Sequence, residues 1–146
     1  MIANDLKKLF LRDLDRLKTE CEAYEDKSKM WEKVDGINNS AGNLTMHLTG
    51  NLQHFVGAIL AKNGYVRKRD FEFNGKVSYG ELLSDIETTK QVIENYFDKA
   101  DPDSFTSNYP LEPFGYPMTI HYFLTHLQGH FNYHLGQINY HRRILS

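Results

Sequence analysis

The stretch from Met118 to Leu145 reads MTIHYFLTHLQGHFNYHLGQINYHRRIL, and its reading decides the fold. Ile120, Phe123, Leu124, Leu127, Phe131, Ile138 and Leu145 recur three, four and seven residues apart, the period of one face of an α-helix. At about 100° per residue they form an apolar stripe roughly 120° wide. No acidic residue occurs in the stretch, and no formal charge occurs before Arg142. His134 falls inside the stripe and His130 on its edge. Four residues apart, they stand one above the other on a single helical face. His126 falls on the shoulder, His121 on the opposite flank, and His141 returns toward the stripe two turns beyond His134.

Working outward, residues 98–117 hold all four prolines together with Phe105, Tyr109, Phe114 and Tyr116. A loop of about 20 residues inside a compact domain is uncommon and often functional. Before it, Ser78-Tyr79-Gly80-Glu81 is a capping-box pattern that opens a helix to about Phe97, with Leu82, Leu83, Ile86, Val92, Ile93 and Tyr96 apolar. A further helix is expected from about Ser40 to Ala61, capped by Asn39 or Ser40, on the stripe Leu44, Leu48, Leu52, Phe55 and Ile59. No Asp, Glu, Lys or Arg lies between Gly36 and Ala61, so this helix has neighbours on more than one side. The first helix, Ile2 to about Tyr24, is charged on its outer face. Residues 62–77 read as a turn-rich link in which Arg67, Lys68 and Arg69 are a solvated turn. Four long helical segments with little β signal give an all-α fold, a four-helix bundle in one domain over residues 1–146.

Seventeen basic and 19 acidic residues leave a net charge of -2, no bulk field for nucleic acid or an anionic membrane. No window has the roughly 20 apolar residues of a spanning helix, and the start does not read as a targeting signal. The lone Cys21 forms no internal disulfide and no thiolate cluster, so a reducing, cytoplasmic setting is the expectation. It reads as a small apolar filler of the first helix.

Two histidines at i and i+4 inside a stripe suit one metal ion. In the second helix His47 and His54 share a shoulder that can turn toward them. They are about 10 Å apart along the axis, so only one of the two can join, and spacing leaves both candidates open. A three-histidine site suits Zn2+ or Ni2+ and leaves positions for water or substrate. Neither histidine-bearing helix carries an acid, which excludes a ferritin-type di-iron site, and no His-Glu-x-x-His occurs. Asn43 and Asn51, one turn to either side of His47, read as buried hydrogen-bonders or as partners of a ligand.

The string Asn-Ser-Ala-Gly-Asn-Leu-Thr-Met-His-Leu over residues 39–48, and His-Phe-Asn-Tyr-His-Leu-Gly-Gln-Ile over 130–138, resemble the DinB-like superfamily. The His-x-Gly-Gln-Ile ending is the most specific piece. The order of a second-helix histidine, a long gap and a fourth-helix His-x-x-x-His also matches. The resemblance implies an up-down-down-up bundle, often dimeric, with a divalent metal held by His47, His130 and His134. It also implies chemistry like that of relatives that are low-molecular-weight-thiol-dependent S-transferases and isomerases. The chain departs from the family pattern at Gly129, where an acid often precedes the first histidine, and at Tyr133-His134, where paired histidines are common.

The expected function is a metal-dependent enzyme acting on a small molecule, a thiol S-transferase or a hydrolase, with the thiol supplied from outside. The alternatives are a metal-binding stress protein without turnover and a structural dimer with core histidines. Charge counting adds a homodimer through helices two and four, whose expected outward residues Thr45, Thr49, Gln53, Thr125, Gln128 and Asn132 are all uncharged.

Overall fold

The computed structural model describes residues 2–146, and among them every regular element is helical. The helices are α1 (Ile2–Ala23), α2 (Ala41–Leu52), α3 (Arg69–Asn74), α4 (Tyr79–Lys99) and α5 (Ile120–Leu145). Five helices therefore pack together where the sequence led us to expect four. The addition is α3, a six-residue helix inside the link read as turns. Beyond Leu52 the α2 axis continues as a π-helical stretch, Gln53–Leu60, an uncommon geometry that is frequent at functional sites. None of the helices is long and apolar enough to cross a membrane.

The helices start where side chains can accept from free backbone amides. Ser40 Oγ accepts from Asn43 N at 3.2 Å, Ser78 Oγ from Glu81 N at 3.1 Å and Thr119 Oγ1 from Tyr122 N at 3.0 Å. Each such cap stabilises its helix by about 1 kcal/mol. The apolar stripes meet in one core: Phe10, Leu14 and Leu17 of α1, Leu48 and Leu52 of α2, Leu82, Ile86 and Ile93 of α4, and Phe123, Leu124 and Phe131 of α5. Side chains of this size contribute about 1.5–3 kcal/mol each when fully buried. Outside the core, Lys7–Asp98 and Lys90–Asp15 tie α1 to α4 at 2.7 Å, partly exposed pairs worth little each.

All twelve residues of α2 are buried. The long 98–117 loop is not what covers them. Residues 69–74 form α3 against α2, and the Trp31 ring lies on α2 at Gly42. The uncharged α2 is thus explained inside one chain. Thr45, Thr49 and Gln53, expected on an outward face, are buried and bond to Ala41 O, Met46 O and Thr89 Oγ1. Gln128 and Asn132 of α5 are likewise engaged, donating at 2.6 and 2.8 Å to the fully buried Asp13 carboxylate of α1. All six residues expected on a dimer face hydrogen-bond within the chain, Thr125 donating to His121 O at 2.8 Å, and of the six only Thr125 and Asn132 are exposed. The 98–117 loop instead packs at the far end, where Tyr109 Oη donates to Phe55 O at 2.7 Å and Phe105 is buried, while Phe114 and Tyr116 remain exposed.

Candidate metal centre

His130 and His134 rise from α5 one turn apart, with ring centroids 4.6 Å from each other. His47, buried on α2, faces them, its ring 5.0 Å from His130 and 5.2 Å from His134. Each imidazole offers a nitrogen, and these three atoms all lie within 4.8 Å of one another. The closest pair, His47 Nε2 and His130 Nε2, is 3.1 Å apart. Between the two second-helix candidates the structure brings His47, not His54, to the pair. His54 lies in the π-helical stretch with its ring against Phe55 at 4.7 Å. His126 stands one turn before His130, edge-on to Phe114 at 4.7 Å. His141 is buried elsewhere, with Nδ1 accepting from Tyr24 Oη at 2.6 Å and Nε2 donating to Glu32 O at 2.7 Å. His121 makes no side-chain hydrogen bond among the described residues.

The site also holds a carboxylate, which sequence reasoning did not place there. Glu72, buried on α3, accepts from His47 Nδ1 at 3.1 Å. Arg67 grips the same carboxylate with both nitrogens of its fork, Nε to Oε2 and Nη2 to Oε1, each at 2.9 Å. Arg67 is therefore no solvated turn residue. Its side chain is only 12% exposed, and its guanidinium also lies over the Phe55 ring. The one sequence signal for Glu72 was negative: α2 and α5 contain no acid, so any carboxylate for His47 had to arrive from another element. Asn43, flagged as a hydrogen-bonder beside His47, fixes α3 by donating to Glu72 O at 3.0 Å and Gly75 O at 2.9 Å. Gln137 supplies the matching contact on α5, its Oε1 accepting from His134 Nδ1 at 2.7 Å.

The electrostatics disfavour the charged forms of His130 and His134. Burial, then the neighbouring His134 and His47, pushes His130 down to about 4. Burial also lowers His134, against the opposing pull of the Gln137 hydrogen bond. Burial alone would raise the Glu72 carboxyl, but hydrogen bonds from His47 and Arg67 outweigh it and hold Glu72 below its ordinary range.

This donor set fits a divalent cation. The Glu72 carboxylate only accepts and lies 3.1 Å from His47 Nδ1, closer than the Arg67 Nη2 donor at 3.4 Å, so the favoured tautomer carries its proton at Nδ1 and leaves Nε2 as a lone pair. The amide oxygen of Gln137 does the same for His134. His130 Nδ1 is buried without a hydrogen-bond partner among the described residues, a polar cost that calls for compensation nearby. Zinc–nitrogen bonds of about 2.0–2.1 Å in a tetrahedral shell place nitrogens about 3.4 Å apart, close to the observed His47–His130 separation. Three imidazoles so arranged could hold a metal ion and leave coordination positions for other ligands.

A family model described as "Protein of unknown function (DUF1572)" matches residues 6–146, nearly the whole chain, and the protein belongs to that family. No curated protein matches the sequence.

Proposed function

We propose that this member of the DUF1572 family is a DinB-like metal-dependent enzyme in a single domain, with His47, His130 and His134 as ligands of Zn2+ or Ni2+. The observation that carries this reading is the convergence of three imidazoles from two helices, two of them with their distal nitrogens held by acceptors. The DinB-like strings around His47 and His134 support it. An up-down-down-up order is supported by the pairings between helices. Asp15 and Asp98 pair with Lys90 and Lys7 in reversed order between α1 and α4, whereas Asp13 and Glu20 meet Gln128 and Arg142 of α5 in the same order. Gln53 and Gly57 likewise meet Thr89 and Val92 in the same order.

A divalent cation at this place supplies Lewis acidity that lowers the pKa of a coordinated water or thiol toward neutrality. The activity we propose is transfer of a low-molecular-weight thiol to a small electrophile, with a related hydrolysis as the neighbouring possibility. The thiol sulfur loses its proton and bonds to the electrophilic carbon, and the leaving group departs with its electron pair. Cys21 is not that thiol. It is buried on α1 against Thr45, and burial pushes it up to about 11. His126 and Phe114 would shape the approach to His130, from which His126 is 6.5 Å distant. A cytoplasmic setting and a homodimer complete the proposal, the dimer now resting on the exposed face of α5 alone.

Elemental analysis of the purified protein, followed by mass spectrometry of thiol conjugates formed from a panel of electrophiles, tests this reading. About one zinc or nickel per chain and a conjugate that depends on it are expected. Protein that neither retains nor takes up a divalent ion would overturn the reading, and metal without conjugation or hydrolysis would overturn its catalytic part.

A further inference from the structure

Glu72 reaches the histidine cluster through an arrangement built from three separate elements. Its helix α3 is pinned to α2 by the two Asn43 hydrogen bonds. Its carboxylate is clamped by the Arg67 fork. The space it occupies is the missing side chain of Gly50: a Cβ there would collide with the Glu72 carboxylate. Glycine in a helix interior is disfavoured relative to alanine, and Gly50 lies within a wholly buried helix. The close approach of Glu72 is a physical reason for that residue.

The geometry points to Glu72, clamped by Arg67, as the positioning residue that decides which nitrogen His47 presents to the cation. The inference rests on the metal reading proposed above and extends it to residues outside the three histidines. With both oxygens engaged by Arg67, the carboxylate has no freedom to rotate away from His47. Its polar complement on the imidazole is an N–H at Nδ1, which it meets at 3.1 Å while Arg67 Nη2 stands off at 3.4 Å, so Nε2 is left as the lone pair facing His130 and His134. Such partners of a ligating histidine orient the ring and raise its basicity, and their loss typically weakens metal affinity 10–100-fold. Gln137 plays the corresponding part for His134 from within α5, but it sits on the ligand's own helix. Glu72 is carried by a separate strap, so the centre depends on a segment that holds none of its ligands.

The test reads the tautomer and the affinity separately. In chelator-treated protein, long-range proton–nitrogen correlation of the imidazoles is expected to show His47 protonated at Nδ1. Glu72→Ala should convert it to a tautomer mixture and weaken zinc binding 10–100-fold in a competition titration. Gly50→Ala, which keeps every polar group but displaces the carboxylate, should act in the same direction and serves where Glu72→Ala fails to fold. Phe10→Leu, a destabilising core change on α1 at a ring that packs against Phe97 of α4, should leave both readouts unmoved, which separates positioning from general loss of stability. A wild-type chain that binds zinc, with Glu72→Ala and Gly50→Ala binding as tightly or His47 unchanged in its tautomer, overturns the inference and leaves the metal reading standing. A wild-type chain that binds neither zinc nor nickel overturns the metal reading and this inference with it, a failure recognisable because it appears without any substitution.

Discussion

His134 and His121 lie on the same helix and differ in what surrounds them. His134 faces His47 and has its Nδ1 held by Gln137, while His121 faces none of the three clustered rings. His134→Ala is therefore expected to abolish stoichiometric zinc in elemental analysis, and His121→Ala to leave it at the wild-type level. Cys21 gives a second expectation at this scale. It has no solvent exposure and its thiol is pushed up to about 11 by burial, so the reactive thiolate is scarce at neutral pH. An aromatic disulfide reagent should leave native protein unmodified for hours and label one thiol per chain in denaturant. Rapid native labelling would return Cys21 to consideration as a nucleophile. Asp13 is the residue on which the α1–α5 contact turns, because it is a fully buried carboxylate accepting from Gln128, Asn132 and Arg12. Removing it breaks two side-chain hydrogen bonds to α5 and leaves the half-buried Gln128 without its acceptor, and Asp13→Ala should cost about 1–3 kcal/mol in urea unfolding. A loss below 0.5 kcal/mol would mean that the donors find water.

At the scale of elements, the four long helices were legible because each repeats its apolar residues over many turns, and Ser40, Ser78 and Thr119 mark their starts. His130 and His134 were legible for the same reason, since a spacing of four inside a long stripe fixes their common face. The choice of His47 over His54 came from resemblance, and the structure supplies the physical ground: the two are about 10 Å apart along the axis, and only His47 is level with the α5 pair. Glu72 and Arg67 were hidden because six residues of helix complete fewer than two turns, too few for a period to show. The flanking Asn74-Gly75 and the basic run also read as solvent-facing turn. Such a strap has a consequence for dynamics. It is tied to α2 through Glu72 and His47, so an ion that fixes His47 also favours the docked strap, and the coupling is reciprocal. Lys68 and Arg69 are exposed sites for trypsin. Saturating zinc should slow cleavage there about tenfold in limited proteolysis followed by mass spectrometry. Unchanged cleavage with zinc bound would show that strap and ion are uncoupled.

At the scale of the whole molecule, one surface is left without an internal explanation. The buried α2 has its covering in α3 and Trp31, and Gln128 and Asn132 have theirs in Asp13, so the charge argument for a dimer survives only on the free side of α5. That side carries Tyr122, Tyr133 and Tyr140, which are 56%, 66% and 65% exposed, and no formal charge before Arg143. Between the tyrosines stand Gly129 and Gly136, two helical turns apart, where an added Cβ would meet nothing within the chain. Each mid-helix glycine costs about 1 kcal/mol relative to alanine, and packing inside this chain gives no reason for either. A second α5 crossing at the glycines, with tyrosines flanking the crossing, supplies one, because small residues let helix backbones approach and aromatic side chains are enriched in interface cores. The expected result in light scattering at micromolar concentration is a species near twice 17.0 kDa, reduced to the single-chain mass by Gly136→Leu. Gly136→Ala separates the two states energetically. In a monomer it should stabilise the chain by about 1 kcal/mol, whereas in the proposed dimer the added methyl lies at the crossing and should weaken association. A wild-type mass of 17.0 kDa together with a stabilising Gly136→Ala would rule out the α5 dimer.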